Sequence, residues 1–304
     1  MNVTRRNLFR TMAAGAAAAV LPGCARAEQA TPLRASAVAL LYDATLCIGC
    51  QACVAACAEA NGEAGDTRLD PQRRSARELN STARNIVKIY KPVDGSPSSY
   101  IKQQCMHCVD PACVASCMFH SLHKDESTGI VRWDPSRCVG CRYCEIVCPY
   151  HIPKFEWSGI NPRIVKCELC APRLASGMEP ACSTVCPTHA VIFGQRTALM
   201  ERAHQRIAER PGTYFENRVY GATDGGGTQA LYLARVPFDK LGLTRLGPES
   251  IPAKYLKWQK RVYTYFAAPT AVYAVLLGVL VKRWRSRTVH EAKVEQATGL
   301  RPQL

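Results

Sequence analysis

Acidic residues are scarce in this 304-residue chain, where 24 Asp and Glu stand against 39 Lys and Arg, a formal net charge of +15. Such a balance suggests a nucleic-acid partner, but its distribution argues against one. Residues 1–27 carry four Arg and no acid, and residues 254–304 carry ten Lys or Arg against two Glu, which leaves only +3 on residues 28–253. We therefore expect the basic excess to belong to a targeting signal and membrane flanks, with no nucleic-acid-binding face.

The sequence also lacks the common catalytic motifs. No Gly-Lys-Ser or Gly-Lys-Thr follows the triglycine at 225–227, so a turn is expected there and not a phosphate-binding loop. No pattern supplies an open metal position or a nucleophile with its base. We therefore expect a chain without a catalytic site of its own, and turnover by the isolated chain would contradict this.

Cysteine, in contrast, is abundant, and sixteen of the 17 cysteines form four quartets. Residues 138–149 have the C-x₂-C-x₂-C-x₃-C-P spacing of a bacterial ferredoxin, in which three thiolates hold one cluster and the fourth ligates another. One such run therefore requires a second run to complete both clusters. The quartets are Cys47, Cys50, Cys53 and Cys57; Cys105, Cys108, Cys113 and Cys117; Cys138, Cys141, Cys144 and Cys148; and Cys167, Cys170, Cys182 and Cys186. They predict four [4Fe–4S] clusters.

Two other uses of cysteine have to be weighed. Zinc takes four ligands from two Cys pairs and has no need of a fourth cysteine displaced by three residues. A disulfide framework does not suit such dense spacing in a chain of this length. Five histidines lie near cysteines, but sixteen cysteines already fill four clusters, so none is assigned as a ligand. They are His107, His120, His123, His151 and His189.

The N-terminal segment, residues 1–27, has the features of an export signal. Residues 4–10, with Arg5 and Arg6, resemble the twin-arginine motif, and a weakly apolar Ala-rich run and a small-x-small cleavage site at 25–27 follow. The alternative is an ordinary basic N-terminus with a helix. Cys24, the odd cysteine, follows a loose lipoprotein-like box, but we expect it to leave with the signal.

The C-terminal segment, residues 254–304, is predicted to be a transmembrane anchor with a basic cytoplasmic tail. Residues 263–281 form an uncharged, mostly apolar run long enough to span a bilayer, with aromatic residues near both ends. Basic residues flank both sides, so the orientation follows from export of the N-terminal part, which puts the cluster-bearing segment on the periplasmic side of the inner membrane. The alternative is a buried core helix.

The repeated quartets and the strands between them predict an α+β fold. Strands are expected at 38–42, 86–90, 100–103, 129–134, 190–194 and 230–236, and helices at 53–60 and 197–210. Because quartets must pair, we expect two ferredoxin-like dicluster modules, one inserted in the other. The outer module comprises 28–100 and 158–253, and the inserted module comprises 101–157.

Several segments together resemble one family. The chain is similar over nearly its whole length to four-cluster, ferredoxin-type electron-transfer subunits, and among them to the iron–sulfur subunit of hydrogenase-2-type periplasmic uptake [NiFe] hydrogenases. Ala58 and Met118 depart from the family pattern, since many relatives have Pro after the fourth cysteine, but Pro is not a ligand. The matching segments are 4–10, 41–53, 104–111, 141–144, 166–170, 190–194 and 225–229, together with the C-terminal anchor.

The resemblance implies the ligand sets, which we number as four sites. Site 1 has Cys47, Cys50, Cys53 and Cys186; site 2 has Cys57, Cys167, Cys170 and Cys182; site 3 has Cys105, Cys108, Cys113 and Cys148; and site 4 has Cys117, Cys138, Cys141 and Cys144.

The resemblance also implies the partners. Electrons would enter from the small and large subunits of a [NiFe] hydrogenase and leave to an integral membrane subunit that reduces quinone in the lipid bilayer. The alternative is the equivalent relay subunit of a formate dehydrogenase or a molybdenum-dependent reductase.

Overall fold

The computed structural model describes residues 34–63, 78–92, 97–157 and 163–298. The predicted export signal, with Arg5, Arg6 and Cys24, lies outside these residues. The chain divides into two units that meet at Ala253 and Lys254. The first unit contains all the cysteine quartets, and the second consists mainly of one long helix.

A three-stranded sheet organises the first unit. Its middle strand, β1 (Val38–Asp43), pairs antiparallel with β8 (Val191–Gln195) and parallel with β9 (Ala230–Leu233). Side chains alternate along β1 as a strand requires. Ala39 and Leu41 pack under helix α6 (Arg196–Glu209), whereas Leu40 and Tyr42 face the core that contains the cysteines.

Three two-stranded hairpins surround the quartets. Strand β2 (Ile86–Tyr90) pairs with β3 (Ser99–Gln103), β4 (Leu122–Lys124) with β5 (Val131–Trp133), and β6 (Lys154–Phe155) with β7 (Ile164–Val165). All six predicted strands are confirmed. Those expected at 129–134 and 230–236 are shorter than predicted.

The helices of the first unit are short, apart from two. They are α1 (Ala52–Ala60), α2 (Ala112–Ala115), α3 (Tyr143–Ile146), α4 (Ala171–Ala175), α5 (Ala181–Thr184) and α6 (Arg196–Glu209). Helix α1 of the first quartet packs against α5 of the fourth, and α2 of the second packs against α3 of the third. The nested arrangement of two modules and their bounds stay a prediction.

Helix α6 packs against the sheet through the apolar face that its sequence predicts. Leu199 and Ala203 lie one turn apart and are buried against the sheet, and Ile207 packs at the edge of the same cluster. Arg206, on this face, donates from Nη1 to Oδ2 of Asp43 at 3.1 Å. The same oxygen accepts from the hydroxyl of Tyr214 at 3.0 Å. Asp43 is fully buried, so this ion pair ties α6 to the end of β1, just before the first quartet.

The second unit contains most of helix α7 (Ile251–Thr298), which runs for 48 residues. Within it, residues 251–289 have a window of mean hydropathy 1.8 in which no residue is buried. By length and composition it could cross a membrane, and it is the only such helix among the described residues. Exposure of its apolar residues argues against the alternative of a buried core helix.

Candidate iron–sulfur cluster sites

The two cysteines that open each quartet are joined by the same tight loop. In every quartet the residue before the second cysteine has a left-handed backbone, and the four residues are Gly49, His107, Gly140 and Leu169, with φ between 45° and 70°. The turn directs amides back towards sulfur. The N–H groups of Gly49 and Leu169 donate to Sγ of Cys47 and Cys167, both at 3.4 Å. Hydrogen bonds of this kind stabilise thiolate ligands and tune cluster potentials.

Three quartets also end in the same turn. His120, His151 and His189 each lie three residues after the last cysteine, with φ near 50°. Their N–H groups donate to the carbonyls of Cys117, Cys148 and Cys186 at 3.1, 3.0 and 3.2 Å. All three side chains are exposed. These histidines therefore contribute to the structure through their backbone, which closes the turn after the last cysteine.

The neighbours of each thiol can be recognised because thiols that lie close together raise one another's pKa. At site 1, burial raises the pKa of Cys47, and the thiols of Cys186 and Cys50 raise it further. Burial raises the pKa of Cys53 to about 12, with Cys47 and Cys186 again contributing. The three cysteines of the first quartet therefore lie beside Cys186, which is more than 130 residues away in the sequence.

Site 2 is assembled in the same way across the chain. Burial raises the pKa of Cys57 to about 12, and Cys182 and Cys170 add to it. Burial also raises the pKa of Cys167, to which Cys57 and Cys182 contribute. Cys57, one helical turn after Cys53 in α1, therefore lies beside thiols of the fourth quartet.

Site 3 joins the second quartet to the end of the third. Burial raises the pKa of Cys108, and the thiols of Cys113, Cys105 and Cys148 raise it further. Burial likewise raises the pKa of Cys113, where Cys105 and Cys148 are the next contributors.

Site 4 is the converse arrangement, with Cys117 beside the first three cysteines of the third quartet. Burial raises the pKa of Cys144 to about 12, and Cys141, Cys138 and Cys117 contribute in that order. All four cysteines line one small cavity. Apolar side chains, among them Phe119, Val139 and Leu122, form much of the rest of its wall.

The donor sets fit clusters better than single ions. Among the described residues no three His, Cys, Asp or Glu side chains converge closely enough to hold one metal ion, whereas Zn²⁺ requires four ligands at about 2.0–2.3 Å from one point. A cubane separates its four ligands by its own bulk. All sixteen described cysteines are free thiols, so the disulfide alternative is not supported. Burial raises the pKa of Cys53, Cys57 and Cys144 to about 12, so binding a cluster through these thiolates must release protons.

Two buried lysines, Lys102 and Lys166, and the half-buried Lys124 lie near the sites and were not expected from the sequence. Lys102 and Lys166 are 1% and 2% exposed. Lys166 Nζ donates to the carbonyls of Val131 and Cys167, at 2.5 and 3.3 Å. Lys124 Nζ donates to the carbonyl of Cys108 at 3.1 Å. Lysine side chains are normally solvated, and no local pattern in the sequence marks Lys102 and Lys166 as buried.

His107 is the other buried group near the sites. Its side chain is 1% exposed, and Nδ1 accepts the N–H of Val131 at 3.0 Å. Burial lowers the pKa of His107 well below its usual value, and the charges of Lys166 and Lys124 lower it further. The imidazole is therefore neutral and links the second quartet to β5.

Comparison with known proteins agrees with this geometry. The profile of the 4Fe-4S dicluster domain family matches residues 97–196, which contain the second, third and fourth quartets. The hydrogenase-2 operon protein HybA of Escherichia coli O157:H7 and that of Shigella flexneri are each 37% identical over 323 residues, covering 95% of this chain and 98% of theirs. The iron–sulfur subunit of the nitrate-inducible formate dehydrogenase of Escherichia coli strain K12 is 33% identical over 205 residues, covering 64% and 67%.

Because the similarity to HybA extends over almost the full length of both chains and includes all four quartets, the chain belongs to the HybA family of ferredoxin-type iron–sulfur proteins.

Proposed function

We propose that the chain is the electron-transfer subunit of a periplasmic [NiFe] hydrogenase. It would hold four [4Fe–4S] clusters, in sites 1 to 4 as defined above, and relay electrons to a membrane subunit that reduces quinone. One observation carries the proposal: the four sites follow one another in a single order, with an exposed cysteine at each end.

The order follows from thiols that influence one another across neighbouring sites. Site 1 adjoins site 2, site 2 adjoins site 3, and site 3 adjoins site 4. The crossing pairs are Cys53 with Cys182, Cys167 with Cys105, and Cys113 with Cys144. A succession of this kind supports stepwise electron transfer.

The two ends of this order are open to partners. Of the sixteen described cysteines, only Cys50 in site 1 and Cys141 in site 4 are exposed. Ile48 is 59% exposed beside Cys50, and Val139 and Ile146 are 54% and 71% exposed around site 4. Exposed apolar residues around a redox site are typical of a docking surface. Each end can therefore exchange electrons with a separate protein.

The choice of a hydrogenase as the catalytic partner is supported by the similar proteins. HybA is named as a hydrogenase-2 operon protein and aligns along 95% of this chain. Export by the twin-arginine motif would place the cluster-bearing unit in the periplasm, and α7 would anchor it with its C-terminus in the cytoplasm.

The second candidate is the same relay in another enzyme. The formate dehydrogenase subunit is 33% identical, a value close to that for HybA, but covers only 64% of the chain. Similarity in the cluster-bearing part does not distinguish the two, because both functions require the same ligands. The wider coverage favours the hydrogenase.

Deletion of the chain from its host tests the choice. We expect membranes to lose hydrogen-dependent quinone reduction while the hydrogenase still oxidises hydrogen with an artificial dye, because its own active site is untouched. The intact chain should contain about 16 iron atoms. If deletion spares hydrogen-to-quinone activity and abolishes formate-, thiosulfate- or sulfoxide-linked respiration, the relay serves another catalytic subunit.

A further inference from the structure

Lys102 is a buried cation without an acidic partner among the described residues. Its side chain is 1% exposed, and its ammonium group donates to Oε1 of Gln104. The backbone is fixed on both sides, since Lys102 pairs with Val87 across the β2–β3 hairpin and its carbonyl accepts the hydroxyl of Tyr232 at 2.9 Å. Burying a charge with one neutral hydrogen bond is costly, so another source of negative charge must stabilise it.

Among the described residues, the ionisable groups that act on Lys102 are the thiols of cysteines and the hydroxyl of Tyr232. The charge of Lys102 lowers the pKa of Cys53, and it does the same at Cys57, Cys167 and Cys182. Cys53 belongs to site 1 and the other three to site 2, so the ammonium group lies within electrostatic reach of both sites. A loaded cluster with four thiolates carries about −2 when oxidised and one more negative charge when reduced.

The other buried lysine differs in its partners. Lys166 donates to two backbone carbonyls and has the carboxylate of Glu168 at 4.0 Å. Its charge acts on Cys113 of site 3. Lys102 is therefore the buried cation whose compensating charge has to come from the cluster ligands themselves.

We propose that Lys102 is the shared counter-charge of the clusters in sites 1 and 2, and that it raises the reduction potentials of both. This inference rests on the proposed function, because it requires both sites to hold clusters. A fixed positive charge stabilises the reduced form of a nearby cluster more than the oxidised form, since the reduced form is more negative. One lysine would thus act on two consecutive steps of the relay.

The test replaces Lys102 in the full-length chain within its membrane complex. K102M removes the charge and keeps most of the length of the side chain, and K102R keeps the charge. K88M is the matched control, because Lys88 lies on the adjacent strand β2 and pairs with Glu78 at 2.8 Å at the surface. Iron content is measured first, and the midpoint potential of each cluster is then determined by EPR-monitored redox titration.

We expect K102M to retain about 16 iron atoms and to lower two of the four midpoint potentials. For each of these two clusters the reduction equilibrium should change at least tenfold, which corresponds to a fall of about 59 mV in the midpoint potential for one electron. K102R and K88M should leave all four potentials in place. If K102M holds its iron but moves none of the potentials, or moves all four alike, the inference is wrong while the proposed function stands.

A second outcome concerns assembly. If both K102M and K102Q lose the clusters of sites 1 and 2 while K102R keeps them, the positive charge is needed to hold them, which supports the inference. Loss in K102R as well would assign Lys102 a packing role and refute it. If the unsubstituted chain holds far fewer than about 16 iron atoms, the proposed function itself fails.

Discussion

Substitution of Gly49 by Ala tests how tightly the first cysteine loop is built. Gly49 lies between Cys47 and Cys50 with φ +70°, and a Cβ there would lie 2.2 Å from Cε1 and 2.6 Å from Cδ1 of Tyr100. Gly62 has almost the same backbone, with φ +61°, but a Cβ added to it would have no atom of the described residues within 4 Å. The two glycines therefore share the conformational cost of the substitution and differ in the steric one.

The magnitudes follow from those two costs. A left-handed backbone costs an Ala about 1–2 kcal/mol, and overpacking adds about 1–3 kcal/mol. We expect G62A to lose stability only through the conformational cost, and G49A to lose it through both the conformational and the steric cost. The difference of about 1–3 kcal/mol corresponds to roughly one to two powers of ten in the population of an opened site.

The assay is the rate at which a chelator removes iron from the anaerobic full-length protein. Cluster loss through a transiently opened site 1 should be faster in G49A than in G62A by that factor. Replacing Tyr100 by Ala in the G49A chain should remove most of the difference, with Y100A alone completing the double-mutant cycle. Equal rates in G49A and G62A, or no relief from Y100A, would refute the reasoning.

Three further predictions concern stability, ligation and location. D43A should destabilise the first unit by about 3–5 kcal/mol, because it leaves the buried Arg206 without its carboxylate. E126A breaks an exposed ion pair with Arg34 and should cost only about 0–1 kcal/mol. Similar shifts of the unfolding temperature in the two variants would contradict this. C57S should damage the cluster of Cys167, Cys170 and Cys182 and spare that of Cys47, Cys50 and Cys53; an EPR spectrum with the opposite loss would argue against crossed ligation. Replacing Arg5 and Arg6 by Lys should leave the precursor in the cytoplasm on cell fractionation, and removing residues 263–304 should release an exported soluble domain, so sedimentation of that domain with carbonate-washed membranes would show that another anchor exists.

Local patterns in the sequence predicted the individual elements well. The mostly apolar run at Ile86–Tyr90, which precedes a predicted turn, gives β2 with the same bounds, and Leu199, Ala203 and Ile207 lie on the expected face of α6. These features depend on neighbours a few residues apart, and the sequence contains them directly. The four quartets can be read from the cysteine spacing alone, whereas the ligand sets came from the family resemblance and stay a prediction.

Long-range electrostatics was not predictable in the same way. Asp43 and Arg206 are 163 residues apart, and nothing in either local sequence marks them as partners. A lysine in a strand is expected to be solvated. Both Ile101 and Lys102 are nevertheless buried, because the hairpin is covered on both faces. Burial of this kind is decided by tertiary packing, for which a single sequence has no local signal.

The position of β1 in its sheet has a consequence for synthesis. Val38 pairs with Gln195 and Leu40 pairs with Ala230, so the partners of the middle strand follow it by 157 and 190 residues. At about 5–20 residues per second, a ribosome needs roughly 10–40 s to add that length of chain. The hairpins β2–β3 and β4–β5 can close during that time because their strands are neighbours in sequence. Strand β9 is therefore synthesised after the other strands described here and completes the three-stranded sheet. A chain stopped before Ala230 keeps an unpaired edge on β1, however many clusters it has acquired.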